Sequence, residues 1–538
     1  MSGSRPSRSA IRRDLLLLAA GSAVLLLVSL GARDLWQPNE PTYGQAVAEM
    51  DRRGAWLVPT VNGATFAEKP PLYFWAALAA SRLLGGVDET ALRLPVALAG
   101  VGGVLLLYLL VLPYAGRGRA RIAAALLATT EAWWWNSRAV QMDLLVAVST
   151  LAALLAVLRA VDGGRPAWRG WALGGLAAGL GFLAKGPVAW ACPALVLAAY
   201  LAATRRLRAA LGPAPIAGAA IAVAVPLPWA AALLADGRTD FLREVLLRQS
   251  ATRYVRGFDH PGPWWYYLYY YWIDFAPWSW FAPLAARLRG RDEGERRLDL
   301  LAWLWLACVL VFFSLSASKR SAYMLPAAPA VAILASGLAD RLLAGRLDRK
   351  GALPAMAVHG LAAALAIGAA ALLLLRAIPE YPGLLAPGVA LAAVLLAGGA
   401  ALAAAIASRA RARAAPAALF TLVVAVYLAA AVAVLPAVDR LKSARPFCER
   451  VREIVPAEAE LVSYRFWSWR ASYSFYLGRT IRNLGSREEL ALRAAAPGRV
   501  FVLVEDEHVG EARDALGGRE PLARAPVGGT TAWLFSSR

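Results

Sequence analysis

Residues 36–44 read WQPNEPTYG, and residues 66–75 read FAEKPPLYFW. These two short stretches hold Asn39, Glu40, Tyr43, Glu68 and Lys69 among four prolines. A carboxylate can take a proton from an incoming hydroxyl or help to hold a divalent cation. A lysine can pair with a phosphate. An amide such as Asn39 can orient a ligand through hydrogen bonds, but it is no base at neutral pH. Acid–base chemistry and phosphate binding are therefore both within reach of one segment, and that segment is flanked by apolar sequence.

The flanks identify the setting. Of 538 residues, 59% are hydrophobic and 17% charged, where soluble proteins carry about a quarter charged residues. Apolar runs near the ~20 residues of a membrane-spanning helix recur over most of the chain. The pattern predicts an all-α polytopic membrane protein, since a β-barrel would show short alternating segments instead. Spans are expected at 15–32, 96–113, 121–138, 142–159, 170–185, 187–203, 213–235, 264–285, 298–316, 322–340, 352–376, 383–407 and 416–436. The formal charge of +21 comes from short basic clusters between these runs, such as Arg117/Arg119/Arg121 and Arg205/Arg206/Arg208. That arrangement is the positive-inside signal, not a nucleic-acid footprint. Thirteen spans with a cytoplasmic N-terminus place the clusters on one side. The parity makes 71–86 an interfacial helix within an outer loop, 33–95. The expected domains are a membrane domain over 1–436 and a small outer α/β domain over 437–538, with strands at ELVSYRF, RVFVLVED and TTAWLFS and a helix at SREELALRAAA.

With this topology, Lys69, Arg93, Arg138, Lys185, Arg253, Lys319 and Arg320 come from distant segments to the outer face, beside Glu40, Glu68 and Asp143. Ionisable groups at a membrane edge are expensive and usually functional. Their mixture suits an amphiphile with a phosphate headgroup. Arg93 and Arg376, taken singly, read as interfacial anchors; Glu40, Lys69, Asp143 and Lys319 read as functional. A divalent cation on Glu40 and Asp143 is an option the residues leave open, and no other cofactor is indicated. The three histidines and three cysteines lie far apart, without metal-site or disulfide spacing. No nucleotide-binding fingerprint occurs.

WQPNEPTYGQAVAEM, WLVPTVNG and FAEKPPLYFW together resemble the first outer loop of the GT-C class of membrane glycosyltransferases. The likeness is greatest to the lipid A aminoarabinose transferase family and more distant to the protein O-mannosyltransferases. SRAVQMDLLVA, LAKGPVAW, HPGPWWYYLYYYWIDFAPWSWF and FFSLSASKRSAYMLP follow in the family's order. The resemblance implies a bacterial inner-membrane enzyme with a periplasmic C-terminal domain. It implies a polyprenyl-phosphate sugar as donor and a membrane lipid, glycan or protein as acceptor. It makes Glu40, Asp143 and Asn39 the candidate catalytic positions. Lys69, Lys185, Arg253, Lys319 and Tyr323 become candidates for the donor phosphate, and Tyr43, Glu68, Trp264 and Trp265 for acceptor or sugar contacts.

Two positions depart from the family. Asn39 stands where an acid is usual, and Thr42 replaces an arginine. Three readings follow: Glu40 has taken over as base, Asn39 orients the acceptor while Asp143 or a cation does the electrostatic work, or the chain is a catalytically inactive lipid-sugar-binding homologue. A transporter or flippase of lipid-linked sugars is the further rival. Such proteins bind near the bilayer midplane, whereas these polar residues gather at one edge. The aromatic run at 260–281 fits an interfacial belt and is equally compatible with sugar or lipid packing.

Overall fold

The structure, a computed structural model, describes residues 7–163, 167–256, 260–288, 290–347, 349–377, 381–408, 412–466 and 471–538. Among them, eight helices are long and apolar enough to cross a bilayer. The chain forms two compact units, one of residues 1–28, 67–73 and 94–431, the other of 29–66, 74–93 and 432–538.

The first unit is helical. Several expected spans are present as continuous helices, among them Asp143–Val161, Ala167–Lys185, Glu293–Leu315 and Leu385–Ala407. Two differ. The expected span 121–138 is the end of a helix that stops at Ala128, with a separate short helix at Glu131–Ser137. The expected span 264–285 is broken into Tyr266–Asp274, Trp278–Trp280 and Ala282–Ala285. Pro277 and Pro283 each remove a backbone donor, so no single helix can run through.

Small residues set how the helices approach. A Cβ added to Gly175 would stand 2.0 Å from the Gly218 carbonyl oxygen, and one on Gly181 2.3 Å from Ser149 Oγ. The GGLAAGLG run therefore lets helix Ala167–Lys185 press against its neighbours at backbone range. This contact brings the C-terminal end of that helix beside the N-terminal end of Asp143–Val161.

The second unit combines the segment after the first helix with the C-terminal region. Helix Asn39–Arg53 ends at Gly54, whose left-handed φ of 64° suits a glycine. Asn62 and Gly63, both at positive φ, turn strand β1 (Thr60–Val61) into β2 (Ala64–Thr65), as Asn-Gly does in tight hairpins. Helix Leu72–Leu84 lies within the expected helical stretch 71–86. At 13 residues it is about 20 Å long, too short to cross a bilayer.

The C-terminal sheet holds β3 (Glu460–Tyr464), β4 (Arg482–Leu484), β5 (Val500–Glu505), β6 (Ala523–Val527) and β7 (Thr530–Ser536), in the order β4-β3-β5-β7-β6. The central β3 and β5 are parallel, with Val462 opposite Val502, and β7 runs antiparallel to β5. Val462, Val502, Val504 and Phe535 form its buried core. Helix Arg487–Ala495 begins where the SREE sequence places it, with Ser486 Oγ accepting the Glu489 N–H.

Candidate active site

The first unit contains a cavity of about 360 Å³. Its charged lining comes from Glu68, Lys69, Asp143 and Lys185, and its apolar lining includes Val188, Val245 and Phe312. Asp143 opens one helix and Lys185 closes another. A carboxylate at a helix N-terminus and an ammonium at a C-terminus each complement the helix dipole. The two side chains form an ion pair, and Lys185 Nζ also lies 4.6 Å from the ring centre of Tyr323, which lines the same cavity. Lys69 Nζ stands 3.7 Å from Glu68 Oε2 and donates to the Glu68 carbonyl at 3.2 Å. The formal charges of these four side chains cancel.

This arrangement can take an amphiphile head-first. An anionic headgroup can compete with Asp143 and Glu68 for the two ammonium groups, and the apolar walls suit a hydrocarbon tail. Gln249 and Tyr254 also line the cavity and were not among the sequence candidates. Gln249 belongs to a π-helical stretch, Glu244–Thr252, a local geometry frequent at functional sites but without a sequence signature here.

The second unit holds the WQPNEPTYG segment. Glu40 is buried in a double arginine clamp. It accepts hydrogen bonds from Arg33 at 2.6 and 3.0 Å, from Arg93 at 3.0 and 3.2 Å, and from the Trp36 N–H at 3.2 Å. Burial pushes the carboxyl pKa up, but Arg93 and Arg33 outweigh it and hold the group at about 2. Such a carboxylate is a poor proton acceptor. Arg93 is fully buried, so the expectation of an interfacial anchor is corrected: it is the centre of the clamp. Asn39, the first residue of its helix, is half-buried.

Other candidates fall elsewhere. Tyr43 is buried in a cluster with Phe66 and Phe74, its ring 6.0 and 6.2 Å from theirs. Lys319 Nζ donates to the carbonyls of Phe313, Ser314 and Ser316 at 2.9, 2.7 and 2.5 Å. All three ammonium protons are spent on the end of helix Glu293–Leu315, which makes Lys319 a helix cap in this geometry. Burial also draws its pKa down. Replacing Lys319 by methionine is expected to lower stability by about 1–3 kcal/mol, which thermal unfolding of the two proteins checks. Trp264 and Trp265 are exposed where the Tyr266–Asp274 helix begins. The side chain of Arg253 lies outside the described residues. The option of a divalent cation on Glu40 and Asp143 meets a difficulty, because each carboxylate already has cationic partners from the protein. Among the described residues no group of three His, Cys, Asp or Glu side chains could hold a metal.

Comparison with known proteins gives a consistent picture. A family model described as dolichyl-phosphate-mannose-protein mannosyltransferase matches residues 68–231. The undecaprenyl phosphate-alpha-4-amino-4-deoxy-L-arabinose arabinosyl transferase of Pseudomonas aeruginosa is 34% identical over 337 residues, 62% of this chain and 60% of that protein. The match thus spans about three-fifths of the relative's length. ArnT from Cupriavidus metallidurans, in a crystal structure with undecaprenyl phosphate, superposes with a TM-score of 0.76 at 21% identity, covering 96% of this chain and 97% of that one. The archaeal oligosaccharyltransferase AglB from Archaeoglobus fulgidus gives 0.54 at 14% identity, covering 93% and 70%. The chain has the GT-C fold of ArnT and, over 62% of its length, is similar in sequence to an aminoarabinose transferase.

Proposed function

We propose that this chain is an inner-membrane glycosyltransferase that moves a sugar from an undecaprenyl-phosphate donor to an acceptor on the periplasmic face. The observation that carries the proposal is the cavity in which Lys69 and Lys185 face apolar walls. The lysines hold the donor phosphate, and the isoprenoid lies along Val188, Val245 and Phe312. In a single displacement the acceptor oxygen bonds to the anomeric carbon as the bond from that carbon to the phosphate oxygen breaks. The departing lipid phosphate gains a negative charge. Lys69 and Lys185 stabilise that charge more in the transition state than in the ground state, which is what lowers the barrier. Binding of the phosphate to Lys185 also releases Asp143 from its ion pair. The charged groups lie at helix ends and in the 67–73 segment, not at mid-helix, so a transporter of lipid-linked sugars is not favoured.

The loop bears on the acceptor. Asn39 is no base, and Glu40 is held with its pKa at about 2. A nucleophile that is already anionic, such as a phosphate oxygen, needs neither. The reading is therefore transfer to a phosphorylated glycolipid, with lipid A as the model acceptor and 4-amino-4-deoxy-arabinose as the first sugar to try. The test uses the purified full-length chain in nanodiscs, labelled undecaprenyl-phosphate sugars, and lipid A before and after phosphatase treatment. Transfer is expected only to the phosphorylated acceptor. Equal transfer to dephosphorylated acceptor would exclude the anionic nucleophile. Binding of undecaprenyl phosphate without transfer from any donor would leave a lipid-sugar-binding protein.

A further inference from the structure

Four consecutive residues before Pro38 and Asn39 are held by groups more than 400 positions away. The Asp34 N–H donates to Asp439 Oδ2 at 2.9 Å, 405 positions on. The Leu35 N–H donates to Tyr476 Oη at 2.6 Å, 441 positions on. Trp36 Nε1 donates to Asp439 Oδ1 at 2.6 Å and Gln37 Nε2 to Ser472 Oγ at 2.5 Å. The Asp34 carboxylate pairs with Arg445 at 2.9 Å. Arg445 also pairs with Glu89, to which Tyr476 Oη donates at 3.0 Å. On the other side of Asn39 stands the Arg33–Glu40–Arg93 clamp. The backbone is thus fixed before and after residue 39, while among the described residues no protein group is bonded to the Asn39 amide itself.

We infer that the C-terminal domain is the positioning element of the residue-39 loop, acting through Arg445 and Tyr476. The inference rests on the glycosyltransferase reading, in which this loop meets the acceptor. A fold needs no such concentration of bonds on a short, partly buried loop. A site does, because reacting groups displaced by about 1 Å can lose two orders of magnitude in rate. Arg445 and Tyr476 are positioning residues here: they touch the loop, not the reacting atoms. Arg445 serves two carboxylates at once, Asp34 and Glu89, and Tyr476 both accepts from the loop backbone and donates to Glu89. Removing either should loosen the loop without touching the cavity, whose lining belongs wholly to the other unit.

The experiment compares full-length wild type with Tyr476→Phe, Arg445→Gln and Arg445→Lys. It measures transfer kinetics, undecaprenyl-phosphate binding, and hydrogen exchange of the peptide spanning residues 33–44. Tyr476→Phe and Arg445→Gln are expected to lower kcat about 10- to 100-fold with the donor KM and lipid binding unchanged, and to speed exchange at Leu35 and Trp36. Arg445→Lys should restore part of the rate, because it keeps the charge between Asp34 and Glu89. Unchanged kcat and exchange in both deletions would overturn the inference, as would a loss confined to donor KM. Should Arg445→Gln fail to fold, Tyr476→Phe removes a single oxygen and still decides. Should wild type transfer no sugar, the function proposal fails by itself. The exchange measurement then still judges the loop, with unaltered exchange counting against its attachment.

Discussion

Replacing Lys185 by methionine is expected to abolish measurable sugar transfer while leaving the helices assembled. The change removes a cation from the cavity and keeps the length and apolar stem of the side chain. In the proposed displacement that cation meets the charge developing on the lipid phosphate. Loss of one such group typically costs about 10²–10³ in rate. The cost here is larger than for a simple deletion, because Asp143 is left without its ion-pair partner. An unpaired carboxylate in the cavity then repels the phosphate that Lys185 would have held. The double variant Lys185→Met/Asp143→Asn should therefore bind undecaprenyl phosphate better than Lys185→Met alone, although neither should turn over at the wild-type rate. Single-turnover rates and lipid-induced thermal shifts for the three proteins check the order. Equal lipid affinity in both variants would separate Asp143 from phosphate binding.

Replacing Arg93 by methionine is the change expected to cost most stability. Arg93 bonds Glu40 through two nitrogens and also donates to the carbonyls of Leu30, Arg33 and Asp34 at 3.0, 2.5 and 2.8 Å. Breaking a buried ion pair from one side costs about 3–5 kcal/mol, and the three carbonyls lose a donor as well. Lysine cannot substitute, since it lacks the planar fork that reaches all these acceptors. The clamp also predicts an acid limit. Glu40 has a folded-state pKa of about 2 against an ordinary 4.5. A depressed carboxylate contributes stability that is fully present above the ordinary value and is lost as pH falls toward the folded one. Its size is on the order of 3 kcal/mol. Thermal midpoints measured from neutral pH to pH 3 should fall for wild type, and fall less for Glu40→Gln. Parallel curves for the two would remove Glu40 as the source.

The sequence showed the class of protein more readily than the partners of each charge. Long apolar runs, the short helix Leu72–Leu84 and three of the five C-terminal strands follow from composition and period. The two missed strands lie at the sheet edges. β4 has three residues, and β6 carries Pro526, which edges tolerate and central strands do not. The residues gathered at the cavity, Glu68, Lys69, Asp143, Lys185 and Tyr323, were all candidates from motif and topology. Lys319 and Glu40 are of the same residue types and were expected on the same face, yet both are occupied by the protein's own groups. Nothing in one sequence says whether an ammonium meets a ligand phosphate or three backbone carbonyls. Arg93 shows the converse, since an arginine near a helix start reads as an anchor until its carboxylate is found 53 positions away.

The long reach of the bonds to residues 34–37 sets an order of events during synthesis. Their partners lie 403 to 441 positions later. At ribosomal speeds the loop must wait roughly 20–80 s for Asp439 to be made. Through that interval most of the helices can insert while the loop stays unfastened and open to proteases. A chain that stops before residue 439 never fastens it. The loop is thus completed only by a part of the chain made about 400 residues later.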